Sequence, residues 1–186
     1  MITRQQTLDY VNKRTTNKNL VKHMLAVEAQ MRALAKHFGE NEDDWGLAGL
    51  IHDADYQEMQ AKHPSAEFFQ ELVDMGYDAK IVNAIKAHGW KFQEGLPEPQ
   101  TKMEWSLYCG DELSGLIIAC ALVRPSKKLA EVTLESIKKK WPQKAFAAGV
   151  NREQTELCEA KLRIKLDEFI QICLNALQGI NQELGL

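Results

Sequence analysis

Apolar residues recur at helical spacing over almost the whole chain, and no stretch alternates as a half-buried strand would. Leu20 to Phe38 places His23, Ala26, Val27, Gln30, Met31 and Leu34 along one stripe. Asp44 is a suitable cap for a short helix through Trp45, Leu47, Ala48, Leu50 and Ile51, ending near His52 and Asp53. Pro64 fits the first turn of a helix through Phe68, Phe69, Leu72 and Val73 to Gly76. A further helix from Asp78 sets Ile81, Ile85 and His88 on one face. Thr101 and Glu104 form a T-x-x-E capping box, opening a long helix from about Lys102 to Val123. Leu116 to Val123 alone would also suit a buried strand; the cap and the total length decide for helix. After Pro125 the pattern predicts a helix near Ala130 to Lys140 and a long final one from an Asn151 cap. That last helix would carry Leu162, Leu166, Phe169, Ile170, Cys173, Leu174 and Leu177 on its stripe. The expected class is all-α.

At 186 residues the chain suits a single domain over 1–186, with no repeat, low-complexity tract or dividing linker. The formal charge of -3 is mixed in sign along the chain and makes no case for a nucleic-acid polymer or a membrane surface as partner. The basic run Lys138, Lys139 and Lys140 reads as a solvated helix end. Cys109, Cys120, Cys158 and Cys173 lack zinc-type spacing and sit in apolar stretches, as reduced core residues of a cytoplasmic protein do. The opening MITRQQTLDYVNKR has no hydrophobic signal segment, and Leu116 to Val123 is too short to span a bilayer. The connection from Gly89 to Thr101 is long for a helix–helix link and holds two of the five prolines. Its Trp90, Lys91 and Phe92 either cover a ligand or fold back on the core.

The chemistry concentrates in histidine and aspartate. His23 and His88 lie on apolar stripes, His52 ends an apolar helix, and His63 precedes another. A lone histidine on an apolar face is ordinarily a satisfied core residue; four of them joined by inward acids call for another explanation. Asp111 lies within a long helix on the face of Leu107, Ser114, Gly115 and Ile118, where an ionised carboxylate is costly unless paired or bound to metal. Small Ser114 and Gly115 would let another element approach closely. The plain alternative is a salt bridge to an inward Arg or Lys, and no candidate marks itself. His52 and Asp53 diverge by about 100° within a helix and converge on one ion best at its end. Imidazole with carboxylate suits Mn, Fe, Co, Ni or Zn, and Mg more weakly. Four His and two Asp exceed one four-coordinate ion and fit two ions sharing a carboxylate. His37, about 21 Å from His23 along the helix, should lie outside the site.

The order His23 … His52-Asp53 … His63 … His88 … Asp111 resembles the HD-domain superfamily of metal-dependent phosphohydrolases in its two-metal form, closest to HDIG-related bacterial hydrolases. The contexts NLVKHMLAVE, GLAGLIHDAD, KHPSAEFF, IKAHG and YCGDELSG agree with it. The resemblance covers about residues 18–125 as an HD core, leaving 126–186 as a C-terminal helical extension. It implies that His23, His52, Asp53 and Asp111 hold one ion and that Asp53, His63 and His88 hold a second. Where many members read HDIGK, this chain reads HDADY, so Asp55 replaces the glycine and Tyr56 the lysine that contacts phosphate. Asp55 and Glu58 are then either acids that orient a ligand or solvated residues.

The resemblance implies hydrolysis of a phosphate mono- or diester by a metal-activated water, with Asp53, Asp111 and Asp55 in catalytic roles. A small phosphorylated compound, a nucleotide first among them, is the expected substrate. Arg124, Lys127 and Lys128 either bind its phosphate or are surface cations. The alternative is an HD-fold di-iron oxygenase, which uses the same order of ligands. A non-catalytic signalling module is disfavoured because all six ligand positions are filled.

Overall fold

The computed structural model describes residues 2–186, and among them every regular element is helical. The chain is all-α. Helix α1 (Arg4–Arg14) leads into α2 (Lys18–Phe38), which is capped by Asn17 and closed by Gly39 in the left-handed region. Helix α3 (Glu42–Ile51) packs along α2. Its cap is Asn41, whose side chain accepts from the N–H groups of Asp43 and Asp44; Asp44 lies inside the first turn rather than before it. The expected cap was one turn late because Asn41, Glu42, Asp43 and Asp44 all suit a helix start.

A short turn, α4 (Tyr56–Met59), and a 3-10 turn at Gln60–Lys62 lead to His63. Helix α5 (Ala66–Asp74) is capped by Ser65, so Pro64 precedes the cap instead of sitting in the first turn. Helix α6 (Ala79–His88) starts from an Asp78 cap and ends on the site histidine. The Thr101–Glu104 capping box opens α7 (Lys102–Leu122), which runs past α2, α3 and α6.

Beyond Val123 a 3-10 turn at Leu129–Glu131 precedes α8 (Leu134–Lys140), so the expected helix over that region begins later. The expected long final helix is broken into α9 (Arg152–Lys161), α10 (Leu166–Gly179) and α11 (Asn181–Leu184). Arg163 takes a positive φ of 60°, which no continuous α-helix admits, and α9 and α10 thereby fold onto each other and onto α7. Phe169, Ile170, Cys173, Leu174 and Leu177 still form a buried stripe on α10. One cluster of buried apolar side chains runs from Val11 to Leu184, so the 126–186 region is packed into the same core as α2 and α7. All four cysteines are free and buried. No helix of the described residues is long and apolar enough to cross a membrane.

Candidate metal centre

Helix α3 can lie close to α2 because of Gly49: a Cβ there would come within 2.7 Å of the Val27 carbonyl oxygen. That crossing carries the end of α3, and with it His52 and Asp53, to the level of His23. From the other side α7 brings Asp111, and its Ser114 meets His23 Nδ1 at 3.0 Å. The small side chain at 114 thus admits His23 itself. At Gly115 the approaching element is the Gly149–Val150 loop; a Cβ there would sit 3.4 Å from Val150 Cγ2.

The six residues singled out in the sequence meet in one cluster. His23 Nε2 lies 2.9 Å from Asp111 Oδ1 and 3.4 Å from Asp53 Oδ2. His52 Nε2 is 3.4 Å from both Asp53 Oδ1 and Asp111 Oδ1. His63 Nε2 lies 2.8 Å and His88 Nε2 3.7 Å from Asp53 Oδ1. Two groups, His23–His52–Asp53 and Asp53–His63–His88, have their donor atoms close enough for each to hold a metal ion. Asp53 belongs to both, and Asp111 adjoins the first. Among the described residues no guanidinium or ammonium pairs with Asp111; its partners are imidazoles.

Every imidazole is held from behind. His52 Nδ1 donates to the Gly49 carbonyl at 2.8 Å and His88 Nδ1 to the Ile85 carbonyl at 2.5 Å. His63 Nδ1 donates to Asp55 Oδ1 at 2.5 Å, and His23 Nδ1 bonds Ser114. Carbonyl and carboxylate oxygens only accept, so in neutral His52, His63 and His88 the proton sits on Nδ1 and the Nε2 lone pair faces the cluster. Two consequences test whether a cation fits. His52 Nε2 is buried with no hydrogen-bond partner. His63 Nε2 and His88 Nε2 stand 3.0 Å apart, where two lone pairs repel unless a proton or a cation lies between them and Asp53. Imidazoles anchored through the second ring nitrogen are the usual arrangement around a bound metal. The residues fit a cation.

Without metal, protons take that place. Burial works against charge on His23, yet Asp111 and Asp53 raise it to about 10. Burial likewise opposes charge on His63, and Asp53 and Asp55 raise it to about 9. Burial, with His63 and His52 close by, keeps His88 below the ordinary imidazole range despite Asp53. Burial opposes ionisation of Asp53, but the surrounding imidazoles hold its carboxyl well below the usual carboxylate range. His23 and His52 do the same for Asp111 against its burial.

Asp55 is fully buried behind His63, where its second oxygen accepts from the Ser65 N–H at 2.9 Å. It does not line the cavity beside the cluster; it is not a solvated residue, and its contact is with the His63 ring. Glu58 is exposed and pairs with Arg14 at 2.9 Å. His37 is exposed against Phe38 and outside the cluster, as expected.

A cavity of about 340 Å³ opens onto His23, Asp53, His63, His88 and Asp111. Tyr56 lies at its edge with its ring 5.2 Å from that of His63, and Phe92, 70% exposed, stands at its mouth. The loop aromatics therefore divide: Trp90 folds back on Trp105 and Tyr108, while Phe92 faces the opening. Arg124, Lys127 and Lys128 do not line the cavity; Arg124 follows Asp111 by 13 residues, about 20 Å at helical rise. Gly149, Val150 and Gln154 do line it, so the wall draws on the region expected to be an extension beyond residue 125. Glu112, also on the wall, accepts from the Asn151 N–H at 3.0 Å, which favours its charged form, while burial and Asp111 raise its carboxyl. The Gly149–Val150 loop carries no chemical signature that the sequence could have exposed.

The chain matches no protein-family model, no curated protein and no solved structure. What stands is an all-α fold with a buried His/Asp cluster that could hold metal, an arrangement compatible with an HD-type fold.

Proposed function

We propose that the protein is a metal-dependent phosphohydrolase of the HD type. In this reading His23, His52, Asp53 and Asp111 hold one divalent ion, and Asp53, His63 and His88 hold a second. The observation that carries it is the orientation of the four imidazoles, each engaged through Nδ1 and turned with Nε2 toward Asp53 or Asp111. Divalent ions held there would supply Lewis-acid charge and acidify water for attack on a phosphate ester. Asp53 would offset both charges, and Asp55 would fix the ring of His63. The substrate class is a phosphate mono- or diester, with nucleotides first. The test is metal analysis of protein purified without chelator, followed by a phosphate-ester screen with Mn, Co and Ni. Phosphate release that EDTA abolishes is the expected result; metal content near zero with no uptake on reconstitution removes the reading.

A second reading, a di-iron oxygenase, draws on one observation: the charged side chains on the cavity wall besides histidine are all carboxylates, which suits an uncharged substrate. Two irons per chain with oxygen consumption, and no ester cleavage, would select it.

A further inference from the structure

The cavity wall has two chemically distinct parts. One part holds Asp53, Asp111 and Glu112 with the histidines. The rest of the wall is apolar or aromatic, with Leu20, Tyr56, Pro64, Phe92 and Val150, of which Tyr56 is 41% and Phe92 70% exposed. Every positive charge available to a ligand would therefore come from the bound ions. Two divalent ions less the charges of Asp53 and Asp111 leave about +2, and an ionised Glu112 lowers that to about +1, so one phosphate group of about −1.5 to −2 at neutral pH is enough to offset it. A second phosphate would meet no guanidinium or ammonium on this wall and would lose hydration without a partner. The volume sits at the low end of the range of about 300–1,000 Å³ for ligand pockets.

We infer that the site takes compounds bearing a single phosphoryl group on an uncharged body with an apolar or aromatic face, and excludes those with a second phosphoryl group. This rests on the phosphohydrolase reading. The phosphoryl group sits among the histidines and carboxylates, and the body lies against Leu20 and Val150 with the exposed Tyr56 and Phe92 at its open edge.

Binding of non-hydrolysable probes to the Mn-loaded full chain, followed by calorimetry, tests it. Phenylphosphonate is expected to bind at least about tenfold more tightly than 1,4-phenylenediphosphonate, whose second group would lie along the apolar part of the wall with no cation to meet it. Glu112→Gln keeps the acceptor for Asn151 and should narrow that ratio. Phe92→Ala should weaken phenylphosphonate by about two- to tenfold while leaving methylphosphonate unchanged. Equal or tighter binding of the diphosphonate overturns the inference and leaves the hydrolase reading in place. Metal-loaded protein that binds no phosphonate and cleaves no ester removes both.

Discussion

Helix α2 carries two buried charge clusters, five residues apart, and they are solved in opposite ways. At Glu28, 3% exposed, the carboxylate accepts from Arg4 Nε at 2.6 Å, Arg4 Nη2 at 2.9 Å and Arg32 Nε at 2.9 Å. Guanidinium groups, always charged, close that account within the protein. At His23 the buried carboxylates of Asp53 and Asp111 face only imidazoles, which lose their charge as soon as a metal competes for Nε2. The first cluster is complete as it stands and binds elements together. The second is balanced by protons that a metal ion could displace, which marks it as a candidate site.

Asp53→Asn is the sharpest way to break the comparison. It keeps the shape and removes the charge shared by both donor groups, so metal per chain, read by elemental analysis, should fall to background along with turnover. Chelation of the wild type should reproduce that loss and lower its Tm, because an ion bound only by the folded state stabilises it.

The next largest effect is on pH dependence. His23 at about 10 and His63 at about 9 hold, in the metal-free fold, protons that an ion must displace. Metal affinity should rise from neutral pH and level off above 9 to 10, by up to about tenfold per pH unit for each proton displaced, with proton release measurable in weak buffer. The metal-free fold should respond in the reverse sense. Both folded pKa values lie above the roughly 6.5 of a free imidazole. Their contribution to stability is therefore full below that value and is lost as pH rises through 9 and 10.

Glu28→Gln should lower unfolding free energy by about 1–3 kcal/mol, toward the low end because Arg4 and Arg32 are partly exposed, with metal content unchanged. Asp55→Asn should do the converse: metal stays, but affinity or rate drops by about 10–100-fold as His63 loses its anchor. If Asp55→Asn strips the metal while Asp53→Asn retains it, the shared carboxylate has been misassigned. Smallest of all, Lys127→Ala and Lys128→Ala should stay within about 0.5 kcal/mol of wild type, with turnover unchanged.

The His/Asp cluster was legible because its members break local rules. Asp111 sits on an apolar helical face, and His23 and His88 lie on stripes that otherwise bury hydrocarbon. The Thr101–Glu104 box likewise announced α7 through side chains three residues apart. What escaped the sequence depends on contacts between distant segments. The carbonyls of Gly49 and Ile85 that fix two histidine rings belong to backbone, which every residue has. The break at Arg163 follows from α10 folding back on α7, against a periodicity that runs on through it. Asp55 could be read two ways because its partner, His63, stands eight residues further along the chain and meets it only in the fold.

The cluster's chain order would give the two donor groups different histories. Engaging Asp53, His63 and His88 closes a loop of 35 residues, whereas reaching from His23 to Asp111 closes one of 88. Loop-closure entropy makes the longer closure costlier by about 0.8 kcal/mol. During synthesis the shorter set is complete once His88 has emerged, while the longer waits for Asp111 on α7. An ion captured early would thus tie α3, the turn before α5 and α6 into a preformed half, onto which α7 docks last.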